Sequence, residues 1–280
     1  MSAAHSGFVT TPTGQRLFER WHPADQAVGT VVVVHGFGEH SGRYEHVFQA
    51  LNAGGFSALG FDYRGYGQAS GRRGFIERFD EYVDDAAFAV SKARQRAPGG
   101  PLYMLGHSQG GLVAAAYALD RQHGLDGLAL SSPGLGVALA VPAWKDAAAK
   151  LLSRFVPAFG LPTDLHGADV TRTGEIAAAY DTDPLMVRKA TSRWYVEFLN
   201  AQKRVMAGAP RIVLPTLVMQ AGADKVVSAA ASRRFFDALG APDKKFIGYD
   251  GLYHEIMNEP ERERVLGDLV AWLASRAPAG

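Results

Sequence analysis

The stretch Gly106-His107-Ser108-Gln109-Gly110 sets a serine between glycines two residues to either side. That is the spacing G-x-S-x-G. An apolar run, residues 102–105 (LYML), precedes it, and a helical pattern, LVAAAYAL, follows. Strand, tight turn and helix is the setting in which such a serine acts as a nucleophile. The turn lifts the hydroxyl out of the sheet at a helix N-terminus, where partial positive charge favours an oxyanion. Larger side chains at the glycine positions would collide in so sharp a turn.

A serine hydroxyl needs a base. With this kind of turn the chain order is serine, acid, histidine. Of nine histidines, only His123, His166 and His254 follow Ser108. His123 falls in a polar loop and His166 in the proposed lid. His254 lies in the loop YDGLYHEIMNEP after the last apolar run, which places it at the same sheet edge as Ser108, so His254 is the expected base. The acid should leave a strand near the C-terminus. Residues 216–219 supply that strand, and QAGAD follows, ending on Asp224. Asp224 would accept from the imidazole and fix its tautomer. Asp183 and Asp250 are the alternative carboxylates. The valine run ends at His35-Gly36-Phe37-Gly38, a loop able to aim a backbone N–H at a developing oxyanion. The expected oxyanion hole is the N–H of Phe37 and that of Gln109. This chemistry calls for no metal and no organic cofactor.

The elements that must position these groups show in the hydrophobic pattern. Apolar runs at residues 16–21, 30–34, 56–61, 102–105, 128–130, 216–219 and 245–249 read as strands. Four consecutive valines, Val31 to Val34, suit a strand buried on both faces of a parallel sheet. Helical patterns at residues 44–52, 79–96, 110–119, 229–239 and 261–275 alternate with them. In the last, Val265, Leu266, Leu269, Trp272 and Leu273 share one face. The alternation predicts an α/β protein, a parallel sheet with helices on both faces. It breaks between residues 133 and 210, where no clear strand occurs. Two amphipathic helices stand there: residues 142–155, with Trp144, Ala148, Leu151, Leu152 and Phe155 on one stripe, and residues 192–206, with Tyr195, Phe198, Leu199 and Met206 together. The expected organisation is a core of residues 1–133 and 211–280 with a helical cap, residues 134–210, over the strand ends.

Composition narrows the class further. The net charge is +1, from 29 basic and 28 acidic residues, and no basic run exists, so no nucleic-acid partner is expected. There is no cysteine, which fits a reducing compartment and excludes a thiol nucleophile. The N-terminus lacks the basic and apolar regions of a secretory signal, so a cytoplasmic location is expected. Residues 127–144 carry no charge, yet their glycines and prolines preclude one uninterrupted membrane-spanning helix. The apolar stretch 135–141 (LGVALAV) is expected to touch lipid aggregates or a membrane weakly and transiently.

Beyond these residues, HGFGEHSGRY, FDYRGYGQASG, GHSQGG, YDTDPL, QAGADKVV and YHEIMNE together resemble the monoacylglycerol lipase and lysophospholipase branch of the α/β-hydrolases. The resemblance runs from about Phe8 to Leu273. It implies an eight-stranded, mostly parallel sheet with a helical cap inserted after strand six. It also implies a small polar pocket for the glycerol end of a substrate, at Glu39, Arg43, His107 and Tyr180. An ion pair between Arg43 and Glu39 that merely holds the loop is the competing reading. Gln109 stands where the branch often has Met, and Tyr66 where it often has His. The expected activity is hydrolysis of a single-chain lipid ester, most simply a monoacylglycerol, through an acyl-enzyme. A carboxylesterase or thioesterase for small or aromatic acyl groups, and a non-catalytic ligand-binding protein on the same fold, are the alternatives. The oligomeric state is not legible.

Overall fold

The computed structural model describes residues 4–138 and 143–277. Of the apolar stretch at residues 135–141, residues 139–141 therefore lie outside the described residues, Leu139 and Val141 among them.

The chain opens with β1 (His5–Thr10), β2 (Arg16–His22) and β3 (Gly29–Val34), then α1 (Glu45–Ala53), β4 (Phe56–Asp62) and α2 (Asp80–Arg96). Next come β5 (Leu102–His107), α3 (Gln109–Arg121) and β6 (Gly127–Ser131). An inserted segment follows: α4 (Ala143–Phe155), β7 (Gly160–Pro162), α5 (Gly167–Val170), α6 (Gly174–Thr182), β8 (Lys189–Thr191) and α7 (Ser192–Gly208). The sheet resumes with β9 (Thr216–Ala221), α8 (Ala229–Ala238), β10 (Lys244–Tyr249) and α9 (Arg262–Ala274). Eight strands form one sheet in the order β1-β2-β4-β3-β5-β6-β9-β10. β2 pairs antiparallel with β1 and with β4; every other pairing in this sheet is parallel. This is the α/β-hydrolase fold. β6 and β9 are direct neighbours, so the inserted segment leaves and re-enters the sheet between adjacent strands.

Every residue of β3, β4, β5, β6 and β9 is buried. A strand covered on both faces needs no polar alternation, which is why the valine run is continuous. Val32 and Val34 pack toward α2 and α3, and Val31 and Val33 toward α1 and α9. The five apolar residues on α9 are its buried face.

Three features differ from the sequence reading. β1 was not expected: HSGFVT is mostly exposed and has little apolar content. An edge strand needs only the backbone ladder to β2, reinforced here by Phe8 against Phe18 with ring centroids 5.3 Å apart. The inserted segment contains a two-stranded sheet and two further helices, α5 and α6. Three-residue strands are too short to show alternation, and a four-residue helix shows no periodicity. Finally, the helical stripes are turned. Trp144, Leu151 and Phe155 of α4 are exposed. On α7 the buried face is Trp194, Phe198, Ala201 and Val205, because that face meets α3, while Tyr195 faces a groove shared with α4. Among the described residues, no helix is long and apolar enough to cross a membrane.

Candidate active site

Four loops at the carboxyl ends of parallel strands converge on one place, the region where open α/β sheets bind ligands. They follow β3, β5, β9 and β10 and carry Phe37, Ser108, Asp224 and His254.

Ser108 links β5 to α3 with φ 54° and ψ −120°. The left-handed value is one that a non-glycine residue adopts only where its surroundings impose it. Here they do. The Ser108 N–H donates to the Ser131 carbonyl at 3.0 Å, and the Ser108 carbonyl accepts from Gly111, Leu112 and Gly134. A Cβ on Gly106 would stand 2.3 Å from the Gly110 carbonyl oxygen, and one on Gly110 would stand 2.1 Å from that of Val34. Both glycines are steric requirements of the turn.

The Ser108 hydroxyl lies 2.8 Å from His254 Nε2, and His254 Nδ1 lies 2.8 Å from Asp224 Oδ2. A carboxylate only accepts, so the Nδ1 proton faces Asp224 and the Nε2 lone pair faces Ser108. The other Asp224 oxygen accepts from the N–H groups of Val226 and Val227 at 2.8 and 2.9 Å. Burial opposes the Asp224 charge, yet the His254 ring and these hydrogen bonds hold its carboxyl below the ordinary value. The alternative acids lie elsewhere. Asp183 bonds His40 Nε2 at 2.8 Å, and Asp250 is exposed.

Among the described residues, neither the Phe37 N–H nor the Gln109 N–H donates to a protein acceptor. Both residues line a cavity of about 140 Å³ together with Ser108 and His254. Trp194 and Phe198 of α7 close its apolar side.

Glu39, His107 and Tyr180 line the same cavity; Arg43 does not. Arg43 is held behind it. Its Nη1 lies 2.7 Å from Glu39 Oε2 and 2.7 Å from Glu255 Oε1, and its Nη2 lies 2.8 Å from Glu255 Oε2. The guanidinium also stands over the Tyr180 ring, 5.0 Å from its centroid. The second Glu39 oxygen accepts from the Gly36 N–H and the Tyr44 hydroxyl. Burial opposes the Glu39 charge, but Arg43 and the neighbouring imidazoles hold its pKa down to about 2. His107 Nδ1 is 3.1 Å from both oxygens of Ser131. Burial, with the nearby His254, pushes the His107 pKa down to about 4.

Sequence reasoning missed Glu255. It follows His254 directly, but its partner Arg43 is 212 residues away, beyond any local pattern. It also missed the side-chain role of Gln109, whose amide joins Tyr63 and Trp194.

A serine aminopeptidase S33 family profile matches residues 25–261. The chain is 36% identical to phospholipase YtpA of Bacillus subtilis over 244 residues, covering 86% of this chain and 93% of that one. It is 33% identical to the monoacylglycerol lipase of Mycolicibacterium smegmatis over 261 residues, 92% of each chain. The crystal structure of Paleococcus ferrophilus monoacylglycerol lipase superposes with a TM-score of 0.86 at 31% identity, covering 93% of this chain and 99% of that one.

Proposed function

The chain belongs to the serine aminopeptidase S33 family of α/β-hydrolases, and on that premise we propose that it is a serine esterase cleaving monoacylglycerols or related single-chain lipid esters. Ser108 is the nucleophile, His254 the base and Asp224 its orienting acid. The observation that carries this reading is the continuous pair of 2.8 Å contacts from Asp224 through His254 to Ser108.

In the reaction, Ser108 Oγ attacks the ester carbonyl while His254 Nε2 takes its proton. The N–H groups of Phe37 and Gln109 receive the oxyanion. The tetrahedral species collapses, the C–O bond to the alcohol breaks, and His254 returns the proton to the leaving oxygen. Water then repeats the sequence on the acyl-enzyme, with the acid released and Ser108 restored. Asp224 stabilises the imidazolium in both halves.

The names of the relatives, a phospholipase and monoacylglycerol lipases, support a lipid ester. Glu39, His107 and Tyr180 offer polar groups for the alcohol end, beside apolar Trp194 and Phe198 for the acyl end. In this reading Arg43 acts on substrate only through Glu39 and Tyr180. The inserted segment, residues 134–210, serves as a cap, and its exposed Leu151, Phe155 and Leu161 meet the lipid surface from which substrate is drawn.

A second reading is favoured by the size of the cavity. About 140 Å³ is smaller than the roughly 300–1,000 Å³ of ordinary ligand pockets and suits a short acyl group. Hydrolysis rates on monoglycerides of graded chain length, beside p-nitrophenyl acetate and butyrate, separate the two. The lipid reading expects kcat/KM to rise with chain length; a steady fall selects the short-chain esterase. Labelling by a fluorophosphonate, with mass spectrometry placing the adduct on Ser108, tests the nucleophile, and full turnover by Ser108→Ala would overturn it.

A further inference from the structure

A chain of hydrogen bonds leaves α7 and ends on the loop that carries Phe37. Trp194 Nε1 donates to Gln109 Oε1 at 2.7 Å, and Gln109 Nε2 donates to Tyr63 Oη at 2.9 Å. The Tyr63 hydroxyl then donates to the carbonyl oxygens of His35 and Gly36, each at 3.0 Å. Trp194, Gln109 and Tyr63 are all buried.

Chemistry dictates the direction of this relay. An indole N–H only donates, so it faces the amide oxygen of Gln109. The amide nitrogen is left to donate, and it occupies a lone pair of the Tyr63 oxygen. The tyrosine proton must therefore go on to the loop carbonyls. Every bond points from α7 toward Gly36.

The end of the relay is where it matters. The Gly36 carbonyl and the Phe37 N–H belong to one planar peptide and point in opposite directions. Holding the oxygen aims the N–H. His35 strengthens the hold: its ring stacks on Tyr63 at 4.0 Å with planes 5° apart, and its Nδ1 lies 2.8 Å from the Gly36 oxygen. The Phe37 ring itself rests on Trp194, centroids 4.3 Å apart. Thus α7 holds Phe37 directly through its ring, and holds the peptide bearing its N–H through Gln109.

We propose that the Gln109 side chain is a positioning residue that couples the placement of α7 to the geometry of the oxyanion hole, so that the hole is complete only while Trp194 is in place. The proposal rests on the assignment of the Phe37 and Gln109 N–H groups as oxyanion donors. A donor lowers the barrier only when aimed at the transition-state oxygen. Tilting the Gly36–Phe37 peptide therefore lowers kcat and leaves ground-state binding intact. A relay that merely satisfies buried polar groups would instead affect folding stability alone.

Three variants test this. Gln109→Met keeps the volume and removes both hydrogen-bonding functions. Gln109→Glu keeps the shape but, when ionised, accepts from both Trp194 and Tyr63 and draws the tyrosine proton away from Gly36. Trp194→Phe keeps an aromatic ring beside Phe37 and removes the indole donor together with part of the surface lining the acyl side of the cavity, so it is read beside the Gln109 variants. With active sites titrated by a fluorophosphonate, each variant is measured for kcat and KM on p-nitrophenyl butyrate and for Ki of a trifluoromethyl ketone, whose adduct carries the oxyanion. Each should lose about tenfold in kcat, less than the loss of a whole oxyanion donor, and the two Gln109 variants should keep KM within about twofold. The Ki should rise in step with the loss of kcat/KM, and the Gln109→Met/Trp194→Phe double variant should lose no more than the worse single one. Unchanged kcat per titrated site, a change confined to KM, or additive losses would overturn the proposal. Should Gln109→Met not fold, the isosteric Gln109→Glu decides between these outcomes. Failure of the underlying reading is separately visible, as turnover that survives Ser108→Ala.

Discussion

The imidazoles of His107 and His254 lie with ring centroids 4.9 Å apart and planes inclined by 47°, and of the two only His254 is hydrogen-bonded to Ser108. The fully buried His107, its pKa pushed down to about 4 from 6.5 by burial and by its neighbour, is kept neutral.

This makes stability pH-dependent. As the pH falls, the unfolded chain protonates His107 near its ordinary value, whereas the folded chain does so only near pH 4. Stability from this group is therefore full above about pH 6.5 and is lost between there and about pH 4, on the order of 3 kcal/mol in all. Glu39 adds a loss in the same direction at lower pH, between its ordinary 4.5 and about 2. Urea titrations at pH 7 and pH 5 should show a smaller pH-dependent loss in His107→Asn than in wild type, by about 2 kcal/mol. Equal losses in the two proteins would exclude His107 as the source.

The reacting groups should behave as one unit. Ser108→Ala and His254→Ala should each lower kcat by roughly 10⁴- to 10⁶-fold, and the double variant by little more. Asp224→Asn should cost roughly 10⁴-fold, because the imidazole loses its tautomer and its counter-charge. Exposed Asp250→Asn should leave kcat unaltered. Steady-state kinetics on p-nitrophenyl butyrate decides; an impaired Asp250→Asn beside an active Asp224→Asn would move the acid.

Arg43 is expected to matter first for folding. It neutralises two buried carboxylates, Glu39 and Glu255. Arg43→Met would leave both without their cation, a change worth about 3–5 kcal/mol of stability. Lysine cannot reproduce the two-pronged contact to Glu255, so Arg43→Lys should recover only part of it. Thermal and chemical denaturation measure both. Wild-type stability in Arg43→Met, with KM raised, would instead assign the guanidinium to substrate.

The exposed apolar surface of the inserted segment gives a selective prediction. Leu151 and Leu161 are 63% and 61% exposed. Leu151→Asp with Leu161→Asp should slow hydrolysis of a long-chain monoglyceride presented in vesicles by several-fold, since less apolar area reaches the lipid. Hydrolysis of p-nitrophenyl acetate should be spared. Equal losses on both substrates would show that these side chains support the fold and do not meet lipid.

What the sequence by itself determined is what depends on neighbours in the chain. The sharp turn at Ser108 is written in Gly106, because a Cβ there would meet the Gly110 carbonyl within the turn itself. Continuous burial of the central strands is written in their unbroken apolar runs, and the loops bearing Asp224 and His254 follow from the order of strand and helix. The tertiary structure alone decided the rest. It gave β1 its place through backbone bonds that side chains do not advertise, and it turned α4 so that Leu151 and Phe155 meet solvent. It also joined Arg43 to Glu255 across 212 residues and Trp194 to Gln109 across 85. A hydrophobic period reports which face of an element is apolar but not what lies against it. A buried ion pair or amide bond has no period at all, because its partners meet only once the layers have packed.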